Sequence, residues 1–248
     1  SVIAISIQSM NYGDIPITTV ENPEGNIGFF SPRSNVFNIG YARTFSSSIY
    51  GGINFKVISE NISNLKATGI AIDAGIRYVT GEQEQVKFGI TLKNVGPVMK
   101  YKGDGLAQQA AYVTTGFIAS LEERSSAFEM PSLLSIGGSY DFIFNESNKL
   151  NLGIGFTANS FSNDQYRIGL DYGMTNERMA FNIRGGYVYE KNLLDFENRS
   201  NALVGPTAGF SIDALVGKSK NALGVEYCAR FAGIFGTIHT IGATISLK

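Results

Sequence analysis

Tryptophan is absent, and 248 residues carry one cysteine, one histidine and six prolines. A single cysteine, Cys228, excludes an intrachain disulfide framework. A single histidine, His239, brings no second imidazole for a metal cage and no partner for a catalytic triad. Charge is also scarce. Asp, Glu, Lys and Arg make up 17% of the chain, against roughly 25% in soluble domains. The net charge of −1 gives no electrostatic case for binding nucleic acid. No run of about 18 apolar residues occurs, which excludes a transmembrane helix. No basic n-region and apolar h-region open the chain as in a signal peptide. Ser1 leads straight into a strand-like segment. The expectation is therefore a chain whose signal peptide is removed or whose N-terminal part is missing.

What the chain has in abundance is alternation. Ile49, Gly51, Ile53, Phe55 and Val57 interleave with Tyr50, Gly52, Asn54 and Lys56. Ile70, Ile72, Ala74, Ile76 and Tyr78 interleave with Ala71, Asp73, Gly75 and Arg77. Successive side chains of a strand point to opposite faces, so each segment has one apolar and one polar face. The pattern predicts strands near 2–11, 34–43, 48–59, 66–79, 85–95, 129–143, 149–159, 164–174, 178–190, 206–216, 221–231 and 237–247. Charges on the apolar series fall at strand ends, such as Arg43 and Lys66. A lipid-facing Arg or Lys costs about 2–4 kcal/mol at mid-bilayer and little near the interface. The predicted fold is all-β: one antiparallel transmembrane β-barrel domain over 1–248, with about 12 strands.

The connections point the same way. Short polar turns are expected at 44–47, 81–84, 145–149, 175–177 and 218–220. Between them lie mostly longer loops at 12–33, 60–65, 96–128, 160–163, 191–205 and 232–236. Outer-membrane barrels alternate short periplasmic turns with longer external loops. Aromatics gather toward both strand ends. Tyr41, Tyr78, Tyr140, Phe142 and Tyr172 lie near the short turns; Tyr187, Tyr189 and Phe231 lie near the long loops. That is the distribution of two interfacial girdles. A soluble β-sandwich also alternates, but its strands usually run about five to six residues, shorter than these.

Several phrases carry a resemblance. They are Asn11-Tyr12-Gly13-Asp14-Ile15, Phe30-Ser31-Pro32, Ile39-Gly40-Tyr41-Ala42-Arg43-Thr44-Phe45 and Phe55-Lys56-Val57-Ile58-Ser59-Glu60. Ala71-Ile72-Asp73-Ala74-Gly75-Ile76-Arg77-Tyr78 and the run Phe88 to Pro97 complete them. Together they resemble the PorV/PorQ family of outer-membrane proteins, relatives of the FadL-type fatty-acid transporter barrels. The resemblance implies a FadL-like barrel of 14 strands whose N-terminal segment enters the lumen. A chain with about 12 strands would then lack that plug segment and the first two strands. The resemblance also implies service to type IX secretion, with a translocon subunit or secreted cargo as protein partner and outer-membrane lipid around the wall.

Lys56, Asp73, Arg77, Lys87, Lys93, Arg167, Asp171, Arg184, Asp213, Glu226 and Arg230 fall on the inward series. They form a polar conduit or plug socket, or cross-strand ion pairs that fill and rigidify the lumen. The ion pairs are the simpler account for any one residue. Two loops are candidate partner-binding surfaces: Lys100, Tyr101, Lys102 and Asp104 in the longest, and Leu193, Leu194 and Phe196 in another. Long loops in compact folds are often functional. Nothing has a catalytic pattern, and no cofactor or metal is expected. Cys228 reads as a small lumen filler. Gly217-Lys218-Ser219 has Ile212 where a phosphate loop needs glycine, and no helix follows. The functional expectation is binding in protein secretion or surface attachment. The alternative is FadL-like transport of hydrophobic small molecules.

Overall fold

The computed structural model describes residues 1–111, 118–193, 201, 203–216, 221–233 and 236–246. Its strands are β1 (Val2–Asn11), β2 (Ile15–Pro16), β3 (Phe29–Phe30), β4 (Arg33–Thr44), β5 (Ile49–Ile62), β6 (Leu65–Thr80), β7 (Val86–Val95) and β8 (Tyr101–Lys102). They continue with β9 (Ala107–Ala111), β10 (Ile118–Glu122), β11 (Leu133–Asn145), β12 (Asn148–Asn159), β13 (Gln165–Thr175) and β14 (Met179–Glu190). The last are β15 (Gly205–Val216), β16 (Asn221–Phe231) and β17 (Thr237–Ser246). Twelve of these are long, and they coincide with the twelve segments the alternation predicts. They lie in one sheet in the order β1-β4-β5-β6-β7-β11-β12-β13-β14-β15-β16-β17, with β8 added against β6. Each long strand therefore neighbours the next one along the chain.

The chain divides into two compact units. The first comprises residues 1–43, 52–74 and 93–131; the second comprises 44–51, 75–92 and 132–248.

In the first unit, β1 and β4 pair antiparallel over ten positions, including Ile3 with Tyr41, Ile5 with Ile39 and Ile7 with Phe37. These form apolar cross-strand pairs on one face. Ser6 opposite Asn38 lies on the other. Two expected loops carry structure of their own. Segment 12–33 holds the small β2/β3 ladder, pairing Ile15 with Phe30. Segment 96–128 holds β8, a short 3-10 turn at Asp104–Leu106 and the antiparallel β9/β10 ladder. The expectation of a longer loop at 60–65 is wrong. β5 runs to Ile62 and β6 begins at Leu65, with Ser63 in the left-handed region at φ 50°. Residues 60–62 and 65 belong to the ladder, which extends the strands beyond the alternating core.

The second unit shows why one sequence step separates lipid from lumen. Phe142, Leu150, Tyr172, Ile183, Phe210, Tyr227 and Ile241 are successive cross-strand partners from β11 to β17. One residue away runs a second row: Asp141, Asn151, Asp171, Arg184, Gly209, Cys228 and Thr240. The first row is apolar; the second is polar or small. Register holds them apart, because a slip by one residue would exchange the faces. The short turns are built by asparagine. Asn145 Oδ1 accepts the Ser147 amide at 2.9 Å, and Asn176 Oδ1 accepts the Met179 amide at 2.8 Å. These side chains replace backbone partners in a tight reversal.

Burial is inverted relative to a water-soluble protein. The buried hydrophobic residues among those described are Ala67, Ala71, Val79, Met99, Val204 and Ala232. The large aliphatics lie outside: Ile7 is 76% exposed, Ile154 63% and Ile241 79%. A soluble monomer rarely shows a contiguous apolar patch beyond a few hundred Å². No helix among the described residues is long and apolar enough to cross a membrane; the strands do the crossing. Long antiparallel strands in sequential order, apolar outward and polar inward, make this an antiparallel outer-membrane β-barrel fold, and its location is the bacterial outer membrane.

Ile154 lies mid-strand on the outward series. Ile154→Arg is expected to cost about 2–4 kcal/mol in denaturant unfolding from lipid vesicles, and Met174→Arg, near a strand end, about 0–1 kcal/mol. Equal losses at the two positions would contradict the outward assignment.

Candidate functional site

The inward series of the first unit forms a connected relay. Asn38 Nδ2 donates to Ser6 Oγ at 3.0 Å. Asn54 Nδ2 approaches Asn38 Oδ1 at 3.4 Å and Asp73 Oδ2 at 3.2 Å. Lys56 Nζ lies 2.7 Å from Asp73 Oδ2 and donates to Asn94 Oδ1 at 2.8 Å. The Asn94 backbone N–H donates to Asp73 Oδ1 at 2.8 Å, and its Nδ2 reaches the Pro131 carbonyl at 2.9 Å. β1, β4, β5, β6 and β7 are thus tied together and then to the end of the long loop. Lys56 and Asp73 are each 16% exposed, so the pair is partly shielded from water and from screening salt.

The long loop turns onto the inner face of β6. Ala67 and Ala71 are fully buried there. Gly69 lies between them, and a Cβ on it would meet Met99 Cγ at 2.6 Å. The missing side chain is the space that Met99 occupies. Met99 pairs through its backbone with Phe128, whose ring stacks on Tyr101 at 5.3 Å between centroids. β8 pairs Lys66 with Lys102 and Ala67 with Tyr101. The Tyr101 hydroxyl donates to Glu60 Oε2 at 2.8 Å. Burial, that hydrogen bond and the nearby Glu60 charge push the Tyr101 pKa up to about 12. The loop and the inner faces of β1, β4 and β5 line an open cavity of about 520 Å³.

In the second unit, Lys87 pairs with Asp141, which also accepts from Asn151. Arg184 Nε lies 2.9 Å from Asp171 Oδ2, and Arg184 Nη1 lies 3.7 Å from Glu226 Oε2. Ser211 Oγ accepts from both Arg184 and Asn182. Arg167 donates to Gln165 at 2.8 Å, and Gln165 donates to the buried Glu190 at 3.2 Å. Gly153, Gly169 and Gly186 follow one another across β12, β13 and β14 on the inward side. Around them a concavity of about 600 Å³ opens, reaching Arg167, Asp171, Arg184 and Glu226.

Of the inward charges expected from sequence, Lys56, Asp73, Lys87, Asp171, Arg184 and Glu226 enter ion pairs. Arg167 has a neutral partner. Asp213 folds over Gly224. Arg77, Lys93 and Arg230 are exposed and make no ion pair among the described residues. Lys100, Lys102 and Asp104 are exposed in the long loop, whereas Tyr101 is drawn inward. Leu193 is half-buried. Leu194 and Phe196 lie outside the described residues, as does the turn expected at 218–220. Cys228 is half-buried on the inward row. His239 Nδ1 lies 2.6 Å from the Tyr227 hydroxyl on the outward side. Among the described residues no cluster of His, Cys, Asp and Glu could hold a metal ion. Sequence reasoning missed Asp141, Glu60 and the asparagines. Asp141 alternates with Tyr140 and Phe142, and Glu60 with Ser59, so parity alone marks both as inward. Asn94 carried no such signal, because its reach depends on a left-handed backbone at φ 59°.

No family model matches the chain, and no curated protein matches it. Several solved structures are similar in part. A KdgM porin in complex with disordered oligogalacturonate is 8% identical, with full coverage of both chains and a TM-score of 0.48. The β domain of the Bordetella autotransporter BrkA is 16% identical, covering 97% of this chain and 96% of that one, with a TM-score of 0.48. LpxR from Salmonella typhimurium is 8% identical, covering 86% and 88%, with a TM-score of 0.40. The fold class rests on strand order and the exposed apolar face, not on these likenesses.

Glu60→Gln removes the charge that holds Tyr101. In a titration of phenolate absorbance, one tyrosine of the native protein is expected to ionise near pH 12 and to shift to lower pH in the variant, while burial keeps it above the ordinary 10. Because the folded pKa is raised, the stabilisation is complete below about pH 10 and disappears as pH rises through 12. A native titration with no late tyrosine would remove this contact from the account of the loop.

Proposed function

We propose that this chain is a PorV/PorQ-type component of the outer membrane that acts, without catalysis, by binding a translocon subunit or secreted cargo of type IX secretion. The observation that carries the binding role is apolar surface on the first unit's loops, beyond the long strands. Val20 is 95% exposed, Phe29 69% and Tyr12 60%. Val98 in the long loop is also exposed. Lipid covers the outward strand face, but it does not reach loops that stand in water. Exposed aliphatic and aromatic side chains there favour a protein partner, which would bury them at about 25 cal/mol per Å². The surface is centred on segment 12–33, not on Lys100, Lys102 and Asp104. In the second unit, the inward face offers charges and glycine, which gives a greasy transport channel little to work with.

Mild-detergent purification of the protein from its native membrane, followed by mass spectrometry, tests the proposal. A secretion subunit or cargo protein is expected in near-stoichiometric amount. Val20→Asp with Phe29→Ser should lose it while the barrel still assembles. A barrel that emerges with lipid or fatty acid alone would shift the reading to transport of hydrophobic small molecules.

A further inference from the structure

We propose that the cavity between the inner faces of β1, β4 and β5 and the inturned long loop binds a neutral, hydroxyl-rich molecule of short-oligosaccharide size. At about 520 Å³ it is within the range of small-ligand sites and far larger than a packing defect. Its strand wall presents the side-chain amides of Gln8, Asn38 and Asn54. A free amide such as Gln8 offers a donor and an acceptor side by side, which matches a hydroxyl that both gives and takes a hydrogen bond, whereas Asn54 Nδ2 has both hydrogens committed to Asn38 and Asp73 and leaves its Oδ1 as an acceptor. Asn38 and Asn54 are already fixed by Ser6 and Asp73, so little ordering remains to be done on binding. The Gln8 amide is bonded to no described residue and faces the space.

The opposite wall belongs to the loop and is apolar at Met99, Phe128 and Met130, with the exposed Glu129 among them. The Phe128 ring is held by its stack on Tyr101. A pyranose has this same two-sidedness: hydroxyls at its edges and C–H groups on its faces. Charge then selects among ligands. Lys56 borders the cavity, but its ammonium is committed to Asp73 and Asn94. Glu60 and Glu129 border it as carboxylates. No uncommitted cation among the described lining residues could receive a carboxylate or phosphate, and the two glutamates repel one. Fatty acids and phosphorylated molecules are disfavoured on that ground. Glu60 already accepts from Tyr101 and Glu129 is solvent-exposed, so neither is a desolvated carboxylate waiting for a cation.

The test uses the full chain, folded in detergent micelles and checked by its heat-sensitive gel migration. Equilibrium dialysis is run with labelled maltotriose, oleate and trilysine as separate probes. Maltotriose should bind saturably. Gln8→Leu should weaken it about fivefold, and Asn38→Leu with Asn54→Leu about tenfold or more. Gln8→Leu is the decisive variant, since that side chain supports nothing else and the barrel should fold unchanged. Non-saturable maltotriose uptake, or saturable uptake indifferent to Gln8→Leu, would overturn the proposal. Oleate or trilysine binding that is lost in Gln8→Leu, with maltotriose inert, would overturn it in favour of an acyl chain or a basic peptide. Partner capture by the 12–33 loop is read separately, so either reading can fail alone.

Discussion

Hydrocarbon offers no water to a peptide bond, and everything else in this chain follows from that. Each N–H and C=O at membrane depth needs a partner within the protein, and an unsatisfied one costs several kcal/mol. The answer here is a ladder in which each long strand between β1 and β17 pairs on both sides with its neighbours along the chain. Once the backbone is satisfied, the side chains are free to divide by parity. The Phe142 to Ile241 row and the Asp141 to Thr240 row differ by one residue in sequence and by opposite surroundings in space. Hydrophobicity decides which side each row takes, and register keeps the decision.

The inward faces of the two units solve their polar problem differently. In the first, one ion pair is embedded among asparagines, and the loop is brought inside to cover small residues. Ala67, Gly69 and Ala71 supply the recess, and Met99 fills it. In the second, Arg184 serves two carboxylates and a hydroxyl, and glycines keep the neighbouring wall bare. Neutral amides can bond a neighbour and still offer a lone pair or proton to a visitor. Paired charges mostly satisfy each other, so they stiffen the wall more than they recruit a ligand.

The strands were legible because alternation is a local signal repeated many times. Twelve segments, their outward faces and their ends near Tyr41, Tyr78 or Tyr187 all follow from reading every second residue. The candidate site was legible only in part. Counting charges found Lys56 and Asp73 but passed over Asn38, Asn54 and Asn94, which join the same network without a sign to advertise them. The 60–65 connection was misread because its polar composition looks like a loop, whereas Ser63 and Asn64 alone suffice to reverse the chain. The inturned loop was invisible for a different reason. Met99 and Gly69 meet across thirty positions, and no period in the sequence links a methionine to the glycine that makes room for it.

The long excursion between β7 and β11 also bears on how the sheet is assembled. These strands are neighbours in the ladder, yet they stand farther apart along the chain than any other neighbouring pair of long strands. Bringing the ends of a flexible segment together costs about 0.6 kcal/mol for each doubling of its length. Against a tight turn such as that joining β11 to β12, the difference is about 2.5 kcal/mol. Hairpins on either side can form from local contacts, while this seam waits for them. The contacts that draw the loop inward then repay part of that entropy only after the strands have met, which makes the seam a natural late step in folding.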